Sequence, residues 1–322
     1  MSDNPNMKQQ ITAWKERILA GGEITFDEAL QLIEVESPGD LKALGEAAGE
    51  LTRKFHSRTP ELCSLVNAKS YLCGEDCAFC AQSVHFQTQA ERYELMPADD
   101  IVRTAKMFEE RGVRDFCVVT SGAELNDSEF GEVLEIFRRL RREPPLDLDG
   151  SLGQLTSERV RQLRDAGVRR INHNLQTSRE FYPEIVSTHT YDHRLEALEI
   201  LRDGGMEICS GGILAMGESR RDRIALAFEL KPFRPHCLPV NLLHPRPGTP
   251  LEGMPLPDAD EMIKTIAVFR FIHPHANIKL AGGRERNLSP ADQERALRSG
   301  ANGLITGRSE ERRVGKECRS RW

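Results

Sequence analysis

The sequence predicts a (β/α)8 barrel of parallel strands, preceded by a helical extension. Three observations carry that prediction. From residue 62 onward short apolar runs alternate with amphipathic helical stretches, the runs recur about every 30 residues, and there are eight of them. Alternating strands and helices at this spacing imply a parallel sheet with helices outside, and eight strands close such a sheet into a barrel. The composition, 39% hydrophobic and 29% charged, is that of a globular chain. No apolar run approaches the ~20 residues of a membrane span, and the N-terminus lacks a basic stretch followed by an apolar core.

The elements follow in order. Residues 1–55 read as helices: Ile11, Trp14, Ile18 and Leu19 recur at helical spacing, then Leu30 and Ile33. After the break at Ser37-Pro38-Gly39 come Leu41, Leu44 and Leu51. This segment carries no ligand cluster and reads as a cap on a barrel spanning 56–307. Strands are expected at 62–67, 114–120, 146–152, 169–174, 207–213, 237–243, 277–281 and 301–306. Helices are expected at 98–111, 128–141, 157–166, 192–203, 219–229, 259–271 and 290–299. Ser289 with Pro290 and Asp292 is a helix start signal. Gly112, Gly167, Gly204 and Gly300 follow helices, where a left-handed residue is often needed.

Residues 308–322 have no helix or strand period and resemble the in-frame translation of a sequencing adapter, so they are read as a foreign tail. That tail holds six basic and three acidic residues, and without it the net charge of −6 becomes −9. An acidic chain with no basic stripe argues against a nucleic-acid partner and for small-molecule chemistry. With the tail excluded, the eighth helix is missing. One barrel seam is then uncovered and the mouth incomplete, so poor folding and little turnover are expected.

Chemistry concentrates in one loop, where Cys73, Cys77 and Cys80 stand in the spacing C-x3-C-x2-C just after the first strand. Thiolates select zinc, copper(I) or iron–sulfur clusters. A structural zinc site closes with a fourth ligand at short spacing, and here the next candidate is His85 with no second Cys pair. A [4Fe–4S] cluster on three thiolates keeps one iron open and suits the incomplete set. Free cysteines in ligand spacing, without an export signal, point to a reducing cytoplasm.

Other residues are weaker alone. Cys117 and Cys209 lie inside strands, where a Cys is usually a small hydrophobe. Asn172, Asn174 and Gln176 alternate at the end of the fourth strand, so they share a side that faces the barrel mouth, while His173 points away. Gly211 and Gly212 end the fifth strand, where a side chain would crowd a ligand. The proline-rich stretch 244–250 reads as a stiff loop without chemistry.

The C-x3-C-x2-C spacing with Phe79 before the third Cys resembles the radical S-adenosylmethionine (SAM) superfamily. The wider run from Asn67-Ala-Lys-Ser70 to Gln82-Ser83 is similar to biotin synthases in particular. So are Asn172-His-Asn-Leu-Gln-Thr177, Cys209-Ser-Gly-Gly212 and Gly248-Thr-Pro-Leu251, and the likeness runs from about 62 to 307. It implies a cytoplasmic radical SAM sulfurtransferase. Cys73, Cys77 and Cys80 would hold a [4Fe–4S] cluster whose open iron chelates SAM, and a 5′-deoxyadenosyl radical would abstract hydrogen from dethiobiotin before sulfur insertion. The implied SAM contacts are Phe79 for adenine, Thr120-Ser121-Gly122 for the amino group, and Arg194 and Asn241 for the carboxylate or ribose. Asn172, Asn174 and Gln176 match dethiobiotin-binding positions, the family having aspartate where Gln176 stands. A second, sulfur-donating cluster, [2Fe–2S] or a variant, would be held by Cys117, Cys209 and Arg284. Its remaining cysteine is replaced here by Asp149, a harder ligand that could still hold iron; the alternatives are a variant cluster with other ligands and a relative of another activity. The family also implies a flavodoxin- or ferredoxin-type electron donor and a homodimer. Competing readings are a hydrogenase-maturation or methylornithine-forming relative, and a non-catalytic zinc or iron–sulfur protein.

Overall fold

A computed structural model describes residues 5–57, 59–71, 73–142 and 146–308. Most of the segment read as a foreign tail lies outside these residues, although its first member, Arg308, ends the last strand.

Helices α1 (Pro5–Leu19), α2 (Phe26–Ile33) and α3 (Pro38–Phe55) form the predicted extension. Ser37 caps α3 by accepting from the Asp40 amide, with Pro38 opening the helix. The extension buries Ile11, Trp14, Ile18, Leu44 and Leu51, and α3 lies against α1 and the later helix Ala259–Ile272. The strands are β1 (Glu61–Lys69), β2 (Asp115–Thr120), β3 (Asp147–Ser151), β4 (Val168–Asn172), β5 (Glu207–Cys209), β6 (Gly212–Leu214), β7 (Cys237–Leu242), β8 (Asn277–Leu280) and β9 (Gly303–Arg308). They pair in parallel in the order β5-β4-β3-β2-β1-β9-β8-β7-β6, and a further β5–β7 pairing closes the ring. Helices α4 (Ala98–Glu109), α5 (Asp127–Leu140), α6 (Ser157–Asp165), α7 (Tyr191–Asp203), α8 (Arg220–Leu230), α9 (Ala259–Ile272) and α11 (Pro290–Arg298) match predicted ones. The single turn α10 (Arg284–Asn287) is additional. Gly112, Gly167 and Gly300 take positive φ as expected, whereas after α7 it is Gly205, not Gly204, that does so.

β5 and β6 are the two halves of the predicted strand 207–213. Cys209 faces Cys237 and Gly212 faces Val240 in one continuous register, which sets Pro239 opposite Gly211. Proline has no N–H to give the ladder, so pairing lapses for one step. A Cβ on Gly211 would come within 2.1 Å of the Pro239 carbonyl, and one on Gly212 within 2.4 Å of the Gln176 carbonyl. These glycines answer to backbone approach, not to the crowding of a ligand.

The barrel interior is charged. Lys279 on β8 reaches Glu61 at 2.5 Å and Asp115 at 3.4 Å. Arg170 on β4 reaches Glu61 at 3.1 Å, Glu207 at 3.1 Å and Asp149 at 3.4 Å. Glu61 therefore accepts from both cations, across the barrel. Burial, and after it the hydrogen bond to Glu61, raises the Asp115 carboxyl to about 7. Lys279 stays charged: burial opposes the cation, but Cys237, Cys63, Glu61 and Asp115 around it outweigh that.

Outside the barrel, Arg270 on α9 is fully buried. Its guanidinium donates to the carbonyls of Gly300 (2.9 Å), Ala276 (2.8 Å) and Pro274 (2.9 Å) and to Asn302 Oδ1 (2.6 Å). It ties α9 to the segments entering β8 and β9. Replacing Arg270 by Met strands these acceptors in the core and should cost about 3 kcal/mol, read as a lower denaturant midpoint at unchanged m-value. A second expectation concerns acid. Burial holds His56 and His273 at about 4 and His173 at about 3. The unfolded chain, with histidines near 6.5, binds more protons than the fold in this window. Their stabilisation is thus complete above about 6.5 and is lost as pH falls toward 4. His273→Gln should flatten the fall of melting temperature between those limits by up to one proton's worth.

Candidate active site

The three-cysteine loop leaves the C-terminal end of β1, at the barrel face where such folds gather chemistry. Its first turn is strained: Tyr71 has φ +72°, which a non-glycine residue adopts only when its surroundings enforce it. Here the Tyr71 amide donates to Gln82 Oε1 (3.0 Å), its carbonyl accepts from Ser121 Oγ (2.7 Å), and Arg92 stacks 3.8 Å over its ring. The loop then folds on itself: Cys73 N donates to the Gln82 carbonyl and Val84 N to the Cys73 carbonyl, at 3.2 and 2.9 Å. A turn joins Cys80 N to the Cys77 carbonyl at 2.9 Å. His85, the zinc alternative, has its Nε2 2.9 Å from the Gly74 carbonyl, so it braces the loop instead of joining the thiols.

Asp76 ties the loop to the segment before α7. Its carboxylate accepts from the Ser187 amide (2.9 Å), the Thr188 amide (3.1 Å) and the hydroxyls of both residues. Those bonds outweigh burial and hold the carboxyl well below its usual range. Cys77 is buried and its Sγ lies 3.8 Å from His189 Nε2. Burial pushes the Cys77 thiol up to about 12, with Arg194 pulling the other way, and burial raises Cys80 as well. Loading a metal centre must therefore release protons from these thiols. Arg194 donates to the Tyr182 hydroxyl (2.9 Å), His189 (3.3 Å) and the buried His173 (3.4 Å).

A cavity of about 850 Å³ opens at this face, lined among others by Phe79, Cys80, Asn241, His244 and Arg246. The loop 244–250, read as inert, thus contributes His244, Arg246 and Pro247 to the mouth. The Asn241 amide is spent on backbone, donating to the Gly212 carbonyl (3.1 Å) and accepting from Gly282 N (2.9 Å). Ser121 likewise spends its hydroxyl on Tyr71, and Gly122 has φ +110°. Thr120 is buried and its Oγ1 has no hydrogen-bond partner. Asn172, Asn174 and Gln176 are half-buried, while His173 and Leu175 between them are buried, as alternation requires. Asn172 donates to Asn174 Oδ1 (3.2 Å) and to Cys209 Sγ (3.3 Å). Gln176 has φ +75° and leaves its buried Oε1 without a partner.

Inside the barrel, Cys117 and Asp149 face each other on β2 and β3. The structure does not bring Arg284 to them. Its guanidinium bonds the Ile305 carbonyl (3.0 Å), Glu285 (3.0 Å) and Gln293. The cations beside the barrel thiols are Lys279 and Arg170, which the sequence reading passed over. Period-two alternation with Glu61, Cys63, Asp115 and Cys117 inside apolar runs was the signal that could have found them. Among the described residues, no three His, Cys, Asp or Glu groups close on a single metal ion.

A family model for the radical SAM superfamily matches residues 69–230, and one for the biotin and thiamin synthesis associated domain matches 239–318. The chain is 42% identical over 301 residues to a biotin synthase of Clostridium tetani, covering 94% of this chain and 92% of the relative. It is 43% identical over 303 residues to one of Carboxydothermus hydrogenoformans, covering 94% and 93%. The chain belongs to the biotin synthase family. A solved methylornithine synthase (PylB) superposes with a TM-score of 0.79 over 91% of this chain and 85% of that one. At 19% identity it shares the fold alone. The hydrogenase maturase HydG gives 0.80 at 17% identity, over 94% of this chain and 68% of that one.

Against this family's cofactors the two sets of residues fare differently. Cys73, Cys77 and Cys80 are free thiols on one braced loop and fit a three-thiolate [4Fe–4S] cluster. Cys117, Cys209, Asp149 and Arg284 do not fit a second cluster as a set, because Asp149 is paired with Arg170 and Arg284 is bonded elsewhere. Asp76→Ala should remove about 2 kcal/mol of loop anchoring, so a chelator should strip iron from the loop on the order of tenfold faster, with Asp76→Asn between the two.

Proposed function

We infer that this chain is a biotin synthase, forming biotin from dethiobiotin by SAM-dependent radical sulfur insertion. The observation that carries the reading is the braced Cys73–Cys77–Cys80 loop on the wall of the mouth cavity, in a chain about 40% identical to biotin synthases over more than nine-tenths of its length. Cys73, Cys77 and Cys80 would hold a [4Fe–4S] cluster there, which with SAM would supply the family's hydrogen-abstracting radical chemistry.

The chain's own residues bind, orient and exclude water. Phe79 offers a flat apolar surface in the cavity wall for adenine. The unpartnered Thr120 hydroxyl is available to the amino group of SAM. Arg194 keeps a positive charge beside Cys77 and through Tyr182 and His189 positions that thiol; Asn241 ties the start of β6 to the segment after β8. Asn172, Asn174 and Gln176 present amide donors and acceptors on one side, which suits the ureido ring of dethiobiotin. The need for single electrons supports a flavodoxin- or ferredoxin-type donor, and the family adds a homodimer. The described cysteines are all free, which supports a reducing compartment such as the cytoplasm. Among the described residues no helix is long and apolar enough to cross a membrane.

Anaerobic incubation of the reconstituted chain with SAM, dethiobiotin and a one-electron reductant should yield 5′-deoxyadenosine and methionine, with biotin at the low turnover expected from the sequence. Cys80→Ala should yield none of them. 5′-Deoxyadenosine without biotin would overturn the substrate assignment. Asn172→Ala should raise the KM for dethiobiotin about tenfold, one to two hydrogen bonds' worth, while SAM cleavage continues.

A further inference from the structure

The barrel holds two thiols that neither the mouth loop nor the family's ligand pattern accounts for. We propose that Cys63 and Cys237 join Cys117 and Cys209 as the thiolate ligands of an iron–sulfur cluster inside the barrel, in the place of Asp149 and Arg284. This rests on the reading of the chain as a biotin synthase with a second cluster.

The four thiols come from β1, β2, β5 and β7, which bound one interior. Cys209 and Cys237 are direct partners on neighbouring strands. Cys63 is opposite Asp115, and Leu65 opposite Cys117, so Cys63 and Cys117 lie one inward step apart on adjacent strands. Cys63 is within electrostatic reach of both Cys117 and Cys237. The thiols thus form a connected set.

The bland alternative is that they are small buried hydrophobes. Their surroundings argue otherwise. Cys63, Cys117 and Cys237 are buried yet stand outside the contiguous apolar core, which does take in Cys77. Their neighbours are the charged side chains Lys279, Arg170, Asp115 and Asp149. A cluster on four thiolates is anionic, and a buried anion needs cations and hydrogen bonds around it. Lys279 and Arg170 supply the charge, and Asn172 Nδ2 already donates to Cys209 Sγ at 3.3 Å. Soft thiolates are the natural ligands of such a cluster; Asp149 is harder, and Arg170 occupies it. Ligands of a cluster surround a multi-atom body, so they need not close on one point as the ligands of a single ion do.

The test removes the mouth cluster with Cys73→Ala, Cys77→Ala and Cys80→Ala together, then reconstitutes anaerobically with ferrous iron and sulfide. Bound iron, sulfide and visible absorbance are read. The triple variant should still bind a cluster. Adding Cys63→Ser or Cys237→Ser should cut bound iron roughly tenfold or more, whereas Arg284→Gln should leave it unchanged. A triple variant that binds no cluster overturns the second cluster itself, and the proposal with it. Full iron in both serine variants overturns the proposal alone. If a serine variant fails to fold, electron–nuclear double resonance on the triple variant made with β-deuterated cysteine counts the ligands directly. Four cysteines support the proposal, and two or three overturn it.

Discussion

The barrel depends on Glu61. This carboxylate, at the first position of β1, accepts from Lys279 on β8 and Arg170 on β4 at once. Two cations in the middle of a fold would each cost several kcal/mol if unpaired, and Glu61 is the shared partner that makes both tolerable. The consequences spread along the strands. Because side chains alternate, fixing one inward position on β1, β4 and β8 fixes every other one. Cys63 follows Glu61, Asn172 follows Arg170, and Ala281 follows Lys279 on the inner face. The same network leaves Asp115 near neutrality beside Glu61. The floor of the barrel is therefore a set of mutually dependent charges, and the chemistry-bearing residues stand on it.

The mouth is built on a different principle. The cysteine loop packs Cys77 and Ala78 into the core and is otherwise braced by hydrogen bonds with backbone, from Ser121, Gln82, His85 and Asp76. The half-exposed parts of the loop are fixed by satisfied backbone groups. Ser121 shows how a residue at a binding face can serve the scaffold. Its hydroxyl holds the carbonyl of a left-handed Tyr71, and through it the direction in which the three cysteines leave the barrel.

Much of this was legible in the sequence. The apolar runs located each strand to within a few residues, since buried parallel strands carry strong local patterns, and the C-x3-C-x2-C spacing marked the mouth loop because all its ligands lie in one short segment. What was not legible is pairing across the barrel. Lys279, Arg170 and Glu61 are far apart in the chain, and no local pattern says that they meet. Arg284 was placed near the inner thiols from resemblance, yet the one-turn helix after β8 directs it to Ile305 and Gln293. The 244–250 loop read as inert because its prolines suggest a stiff turn, yet His244 and Arg246 line the mouth together with Pro247. Gly211 and Gly212 were noticed for a ligand's sake, but the reason for them is Pro239, twenty-eight positions after Gly211 and opposite it in register.

That proline also has a mechanical meaning. A closed barrel has no edge from which to unzip, so its resistance to opening is set by its weakest seam. The seam between β5, β6 and β7 lacks the rung that Pro239 cannot supply, and it lies two residues from the facing thiols of Cys209 and Cys237. Next to the sulfur pair the wall is therefore held by one rung fewer than an unbroken register would give.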